Sequence, residues 1–144
     1  MSVPAATYRI QFSPSFGFQD ARKVVPYLAG LGITHLYASP IFKARTGSQH
    51  GYDVVDPNQL NPELGSVEDF ERLVDALQEK GMDWVQDVVP NHMAFDSRNE
   101  MLMDILESGQ RSRYLPFFDI GWEHRYENIK GRVLAPFLGR FYGQ

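Results

Sequence analysis

The sequence predicts an α/β fold built on a parallel sheet, and three observations carry that expectation. Strand-like apolar runs recur at residues 8–12, 33–38 and 84–89. Between them lie two segments whose apolar residues fall at helical spacing. Glycines close those segments, Gly30 and Gly32 after the first and Gly81 after the second. Strand, helix, strand, helix, strand is the order of right-handed βαβ units.

Each element has its own signal. Tyr8-Arg9-Ile10-Gln11-Phe12 alternates apolar and polar with period two, as a half-buried strand does. From Phe18 to Leu31, residues Ala21, Val24, Val25, Leu28 and Leu31 line one helical face, and Pro26 predicts a kink or two short pieces. Ile33-Thr34-His35-Leu36-Tyr37-Ala38 is the second strand, stopped by Ser39-Pro40. A polar, Gly-containing loop is expected from there to about residue 65. Ser66-Val67-Glu68-Asp69 has the form of a capping box. Behind it Val67, Phe70, Leu73, Val74 and Leu77 give a helix its apolar face, and Lys80-Gly81 ends it. Trp84-Val85-Gln86-Asp87-Val88-Val89 is the third strand.

Beyond Asn91 the rhythm breaks. Residues 93–144 are rich in aromatics, Gly and Pro, with a short helix expected around residues 99–108. Phe117-Phe118-Asp119-Ile120-Gly121-Trp122 reads as irregular or short β structure. Two architectures fit. In a (β/α)₈ barrel, which needs about 250 residues, residues 1–92 would hold the first βα units, about three strands. Residues 93–144 would then begin a long insertion after the third strand. A small open α/β sheet is the alternative, but Ser13-Pro14-Ser15-Phe16-Gly17 lacks the G-x-G-x-x-G turn such a sheet uses for phosphates. The chain stops at Phe141-Tyr142-Gly143-Gln144 without a polar tail or capping element, and reads as cut rather than finished.

Composition narrows the function classes. With 43% hydrophobic and 22% charged residues, a packed core is expected rather than disorder. A net charge of -4, with both signs interspersed, gives no reason to expect a nucleic-acid or membrane partner. The absence of cysteine excludes disulfide and thiolate chemistry and suits a reducing compartment. No apolar run approaches the roughly 20 residues of a membrane span, and the N-terminus has no signal-peptide pattern. A cytoplasmic location and no cofactor are therefore expected.

Chemistry-bearing residues gather after two of the strands. Asp is disfavoured in a strand, and burying an unpaired charge is costly, so Asp87 within an apolar run calls for a partner. It either bridges to Arg9 or Arg45 as a structural ion pair or takes part in catalysis, and the bridge is the stronger reading. The run ends in Pro90-Asn91-His92. Upstream, His50-Gly51-Tyr52-Asp53 supplies a second polar-aromatic cluster. In a parallel barrel both clusters belong to the catalytic face, at the C-terminal ends of the strands. A sugar ring there would stack on Tyr52 and take hydrogen bonds from His92, Asp53 or Arg45. Tyr52 as a plug in the core, and His92 as a plain turn residue, are the competing structural readings. Asn91 serves as a loop clamp or offers an oxygen to calcium. Metal binding by His50, Asp53 and His92 has no supporting ligand spacing, so no metal is expected.

The same residues carry a family resemblance. Asp87-Val88-Val89-Pro90-Asn91-His92 is similar to the first signature region of the α-amylase superfamily, glycoside hydrolase family 13, and the His50-Gly51-Tyr52-Asp53 loop looks like that superfamily's. More specific stretches resemble the maltooligosyltrehalose synthases: Ala6-Thr7-Tyr8-Arg9-Ile10-Gln11-Phe12, the run from Leu36 to Ser48, and Leu60-Asn61-Pro62-Glu63-Leu64-Gly65. Phe117-Phe118-Asp119-Ile120 and the run from Leu134 to Gly143 match as well, so the resemblance spans essentially the whole chain. Gly121 departs from it, standing where an acid is expected before Trp122.

The resemblance implies a (β/α)₈ barrel enzyme, a (1→4)-α-D-glucan 1-α-D-glucosylmutase. Such an isomerase turns the reducing-end α-1,4 linkage of a maltooligosaccharide into an α,α-1,1 linkage, as in trehalose biosynthesis. Retention in that transglycosylation implies a carboxylate nucleophile and a carboxylic general acid/base. Both are expected beyond residue 144, so no catalytic residue is expected in this chain, and the chain alone is expected to be inactive. Carried over by motif, Tyr52 would stack on the sugar next to the scissile bond and His92 would bond its hydroxyl. His50, Asp53 and Arg45 complete the expected substrate set. Asp87 would hold the local charge network, and Asn91 would brace the inserted domain. An α-glucan hydrolase of the same superfamily, or a non-catalytic glucan-binding remnant, are the alternatives.

Overall fold

The computed structural model describes residues 3–133, so the stretch from Leu134 to Gly143 that entered the resemblance lies outside the described residues. The chain divides into two compact units, Met1–Asp96 and Ser97–Gln144. In the first, β1 (Thr7–Ile10) leads into α1 (Phe18–Gly30) and β2 (His35–Ala38). Then come β3 (Phe42–Ala44), β4 (Val54–Leu60), a 3₁₀ turn at Pro62–Leu64, α2 (Val67–Glu79) and β5 (Asp83–Gln86).

Strands β1, β2 and β5 form one parallel sheet in that order, as two βαβ units require. Register sets which side chains share a face. Ile10 pairs with Ala38 and Leu36 with Trp84, and these point to the helix layer. There they meet Phe18, Ala21, Val25 and Leu28 of α1 and Leu73 and Leu77 of α2. Arg9 pairs with Tyr37, and Tyr37 with Val85. Strand alternation puts those three on the opposite face, away from the helices.

Four aromatic rings close the core into a ring of contacts. Phe12 meets Phe18 at 5.5 Å, Phe18 meets Phe70 at 5.3 Å, Phe70 meets Trp84 at 5.4 Å, and Trp84 returns to Phe12 at 6.1 Å. Each such pair adds about 0.5–1.5 kcal/mol beyond simple burial. The helices are tied together at the same end. Ser66 Oγ accepts from the Asp69 N–H and Asp69 accepts from the Ser66 N–H, which is the predicted capping box. The other Asp69 oxygen accepts from Gln19 of α1 at 3.0 Å.

Four expectations need correction. α1 is one helix, not two pieces, because Pro26 and Arg22 (whose carbonyl loses its donor) both lie on the exposed face where water serves. The third strand ends at Gln86, so Asp87 stands just past the strand rather than inside it. The region expected as a loop to residue 65 contains the antiparallel pair β3–β4, with irregular register. Val67, placed on the apolar face of α2, is exposed at the helix start.

In the second unit, α3 (Glu100–Ser108) matches the expected short helix, and the buried Asn99 caps it by accepting from the Leu102 N–H at 3.1 Å. Ser112 Oγ donates to Asp104 and accepts from the Tyr114 N–H, folding the chain back after the helix. Over residues 115–122 there is a 3₁₀ turn at Leu115–Phe117 and no strand.

Candidate functional site

The C-terminal rim of the parallel sheet is fixed by one buried serine. Ser39 N–H donates to the Ile10 carbonyl at 3.0 Å, and Ser39 Oγ accepts from the Phe12 N–H at 2.8 Å. Gln86 Nε2 donates to the Ser39 carbonyl at 3.2 Å, and the Asp87 N–H donates to the Ala38 carbonyl at 2.9 Å. The rims of β1, β2 and β5 are thereby locked in one register, and Asp87 follows two residues after Val85 on the open face.

A tight loop brings Tyr52 over that rim. Arg45 N–H donates to the Asp53 carbonyl at 3.0 Å, closing the loop at its base. Inside it, Ser48 Oγ donates to the Asp53 carboxylate and accepts from the Gly51 N–H. Glu63 accepts from the Gly47 N–H at 2.9 Å and anchors the outer bend. Gly51 has φ 76°, and a Cβ there would sit 2.7 Å from the Pro40 carbonyl oxygen. Only glycine allows this approach. The Tyr52 N–H then donates to His50 Nδ1 at 3.0 Å, and the two rings stack with centroids 5.9 Å apart. An accepting Nδ1 leaves the neutral His50 proton on Nε2.

The loop and the strands meet at one carboxylate oxygen. Tyr52 Oη donates to Asp87 Oδ2 at 2.6 Å, Arg9 Nη2 reaches the same oxygen at 3.3 Å, and Tyr37 Oη donates to it at 3.4 Å. Arg9 Nη2 also donates to Tyr52 Oη at 2.9 Å, and its guanidinium lies over the Tyr37 ring at 5.0 Å. The hydrogen bond to Asp87 pushes the Tyr52 phenol above its ordinary 10.0, with Arg9 opposing. Loss of the proton would set a phenolate against a carboxylate.

The expected site residues divide accordingly. Asp87 pairs with Arg9 and not with Arg45, which instead holds Asp96 at 3.1 Å. Tyr52 joins the network, Asp53 and His50 shape the loop beneath it, and the closest approach of those two is 3.9 Å. Asn91 and His92 lie exposed just beyond Asp87, and no polar contact links them to it. Tyr37 was missed by sequence reasoning. Its signal was present, since strand alternation places Tyr37 and Arg9 on matching faces, but only the β1–β2 register brings them together. Among the described residues no three acidic or histidine side chains converge as a metal site would require.

A family model described as "Alpha amylase, catalytic domain" matches residues 21–137. The chain belongs to the α-amylase family. Its three parallel strands and two crossover helices are therefore the N-terminal part of the α-amylase (β/α)₈ barrel, and the open sheet is excluded. Among α-amylase relatives, the chain is 43% identical to a putative maltooligosyl trehalose synthase of Mycobacterium tuberculosis (strain ATCC 25618 / H37Rv) over 147 residues, covering 96% of this chain and 19% of that one. It is 38% identical to neopullulanase 2 of Thermoactinomyces vulgaris over 109 residues, 74% of this chain and 18% of that one. The structure of maltooligosyltrehalose synthase from Arthrobacter ramosus superposes with a TM-score of 0.77 at 45% identity, covering 83% of this chain and 16% of that one. The chain thus spans about a fifth of the length of the curated synthases it matches.

Proposed function

We propose that this chain supplies the first βα units of the catalytic barrel of a glucan mutase. That enzyme moves the reducing-end glucose of a maltooligosaccharide from an α-1,4 to an α,α-1,1 linkage. The observation that carries the proposal is the 43% identity to a maltooligosyl trehalose synthase across 96% of this chain, when the resemblance to a neopullulanase reaches only 74%. In this reading residues 1–92 belong to the barrel and residues 93–144 open an insertion after its third strand.

The site geometry supports a substrate-holding role for this segment. Tyr52 offers a ring face at the strand ends, with His50 stacked beside it and its Nε2–H available to a sugar hydroxyl. His92, exposed past the same rim, is proposed to bond a hydroxyl of that sugar. Asp53 and Arg45 hold the loop. Asp87 accepts from three neighbours on a single oxygen, and Asp53 is bound by Ser48. Carboxylates so engaged serve as scaffold, so the nucleophile and general acid/base are assigned to strands outside this segment.

Product analysis on maltopentaose with the complete barrel enzyme that carries this segment tests the proposal. A non-reducing oligosaccharide of unchanged length as main product is expected. Glucose and maltotetraose as main products would make the protein a hydrolase of the same family.

A further inference from the structure

We propose that Arg9 is a positioning residue for the Tyr52 ring, holding it rigid as the stacking surface for a glucosyl unit. This rests on the sugar-stacking role proposed for Tyr52. The ring is tethered at both ends. Its backbone follows Gly51, pressed against Pro40, and its N–H is held by His50. Its hydroxyl is held by Asp87 at 2.6 Å and by Arg9 at 2.9 Å. A flat ring fixed at both ends does not lose rotational freedom when a sugar docks, so ligand contacts translate into affinity.

Arginine suits the position for reasons of shape. One terminal nitrogen of Arg9 serves both Tyr52 Oη and Asp87 Oδ2, while the guanidinium plane lies over Tyr37 of the next strand. A lysine ammonium carries the charge without the stacking plane. Arg9 therefore orients two strands and one loop from the face of the sheet opposite α1 and α2. Without it, Asp87 would keep Tyr52 and Tyr37 as donors but lose its cation. The ring would then have one tether fewer at its hydroxyl.

The two partners act on the phenol in opposite directions. Asp87 raises its titration and Arg9 lowers it, so the state of Tyr52 reports on Arg9 independently of catalysis.

The test compares Arg9→Met, Arg9→Lys and Tyr52→Ala in the complete barrel enzyme that carries this segment, with maltopentaose kinetics and NMR titration of ¹³C-labelled tyrosine. The Tyr52 signal is assigned by Tyr52→Phe. Arg9→Met should raise KM roughly tenfold, the scale of one lost charge-assisted hydrogen bond, with kcat nearly unchanged. It should also move the Tyr52 titration further upward. Arg9→Lys should recover part of both. Should Arg9→Met fail to fold, Arg9→Lys alone decides, since unchanged KM and phenol titration in it overturn the proposal. Wild-type KM in Arg9→Met alongside a raised KM in Tyr52→Ala overturns the role of Arg9 and leaves the sugar-stacking role standing. Wild-type KM in Tyr52→Ala overturns both.

Discussion

Tyr52 and Asp87, 35 residues apart in sequence, share a 2.6 Å hydrogen bond that joins the loop after β3 to the chain just past β5. The bond explains why a carboxylate is tolerated at the end of an apolar strand. Asp87 is not isolated, because two phenols and a guanidinium converge on one of its oxygens. It also fixes the direction of Tyr52 at the rim of the sheet, where the proposed glucosyl unit would stack.

That bond makes the Tyr52 phenol a reporter of Asp87. Its titration lies above 10.0 because the neighbouring carboxylate favours the protonated phenol. A proton held more tightly in the folded state stabilises the fold fully below pH 10.0, and the contribution is lost as pH rises through the elevated value. Asp87→Asn should bring the Tyr52 titration down toward or below the ordinary value, with Arg9 then dominant. NMR titration of labelled tyrosine checks this, and an unmoved signal would remove Asp87 as the cause.

Gly51 should be intolerant of a side chain. In Gly51→Ala the residue would need φ 76° and a Cβ 2.7 Å from the Pro40 oxygen. A cost of about 1–3 kcal/mol is expected from the left-handed backbone, with more from the clash. Denaturant midpoints compared with wild type measure it. Tyr52 should be displaced as well, so the same variant should weaken maltooligosaccharide binding.

Most of the fold was legible because its signals are local. The capping box at Ser66 and Asp69 and the buried Ile10 and Phe12 set two apart are short-range patterns that tertiary packing reinforces, although Tyr8 is exposed and β1 ends at Ile10. The β3–β4 pair was not legible. β3 has three residues, and Val54-Val55-Asp56-Pro57-Asn58-Gln59-Leu60 carries a Pro and an Asn that read as loop. A proline survives there because the strand belongs to a two-stranded pair with irregular register. At the site, Tyr52 and Asp87 were visible as residues out of character with their surroundings. The part played by Tyr37 was not, because an aromatic in a strand is unremarkable until register sets it beside Arg9. Nor does any local pattern reveal that Arg45 turns to Asp96 instead of Asp87.

The 144-residue chain by itself should show no glycosidase or mutase turnover. Retaining chemistry needs two carboxyl groups about 5–5.5 Å apart across the scissile bond. Asp53 and Asp87 are both committed to neighbouring donors. β1 and β5 are the outer strands of a three-stranded parallel sheet, and α1 and α2 cover only one of its faces, a combination that favours association between chains. Purified residues 1–144 incubated with maltopentaose should yield no products above those of an Asp53→Asn, Asp87→Asn control, and should melt without a sharp cooperative transition. Turnover above that control, or a sharp melt, would contradict the corresponding half of the expectation.

The rim bearing Tyr52 is proposed to hold a glucosyl unit. Calorimetric titration of maltopentaose into the complete barrel enzyme that carries this segment, and into its Tyr52→Ala variant, tests it most directly. The variant is predicted to bind more weakly by about 1–3 kcal/mol, the scale of a buried aromatic contact, while remaining folded. Equal affinity in the two proteins, with both folded, would contradict it.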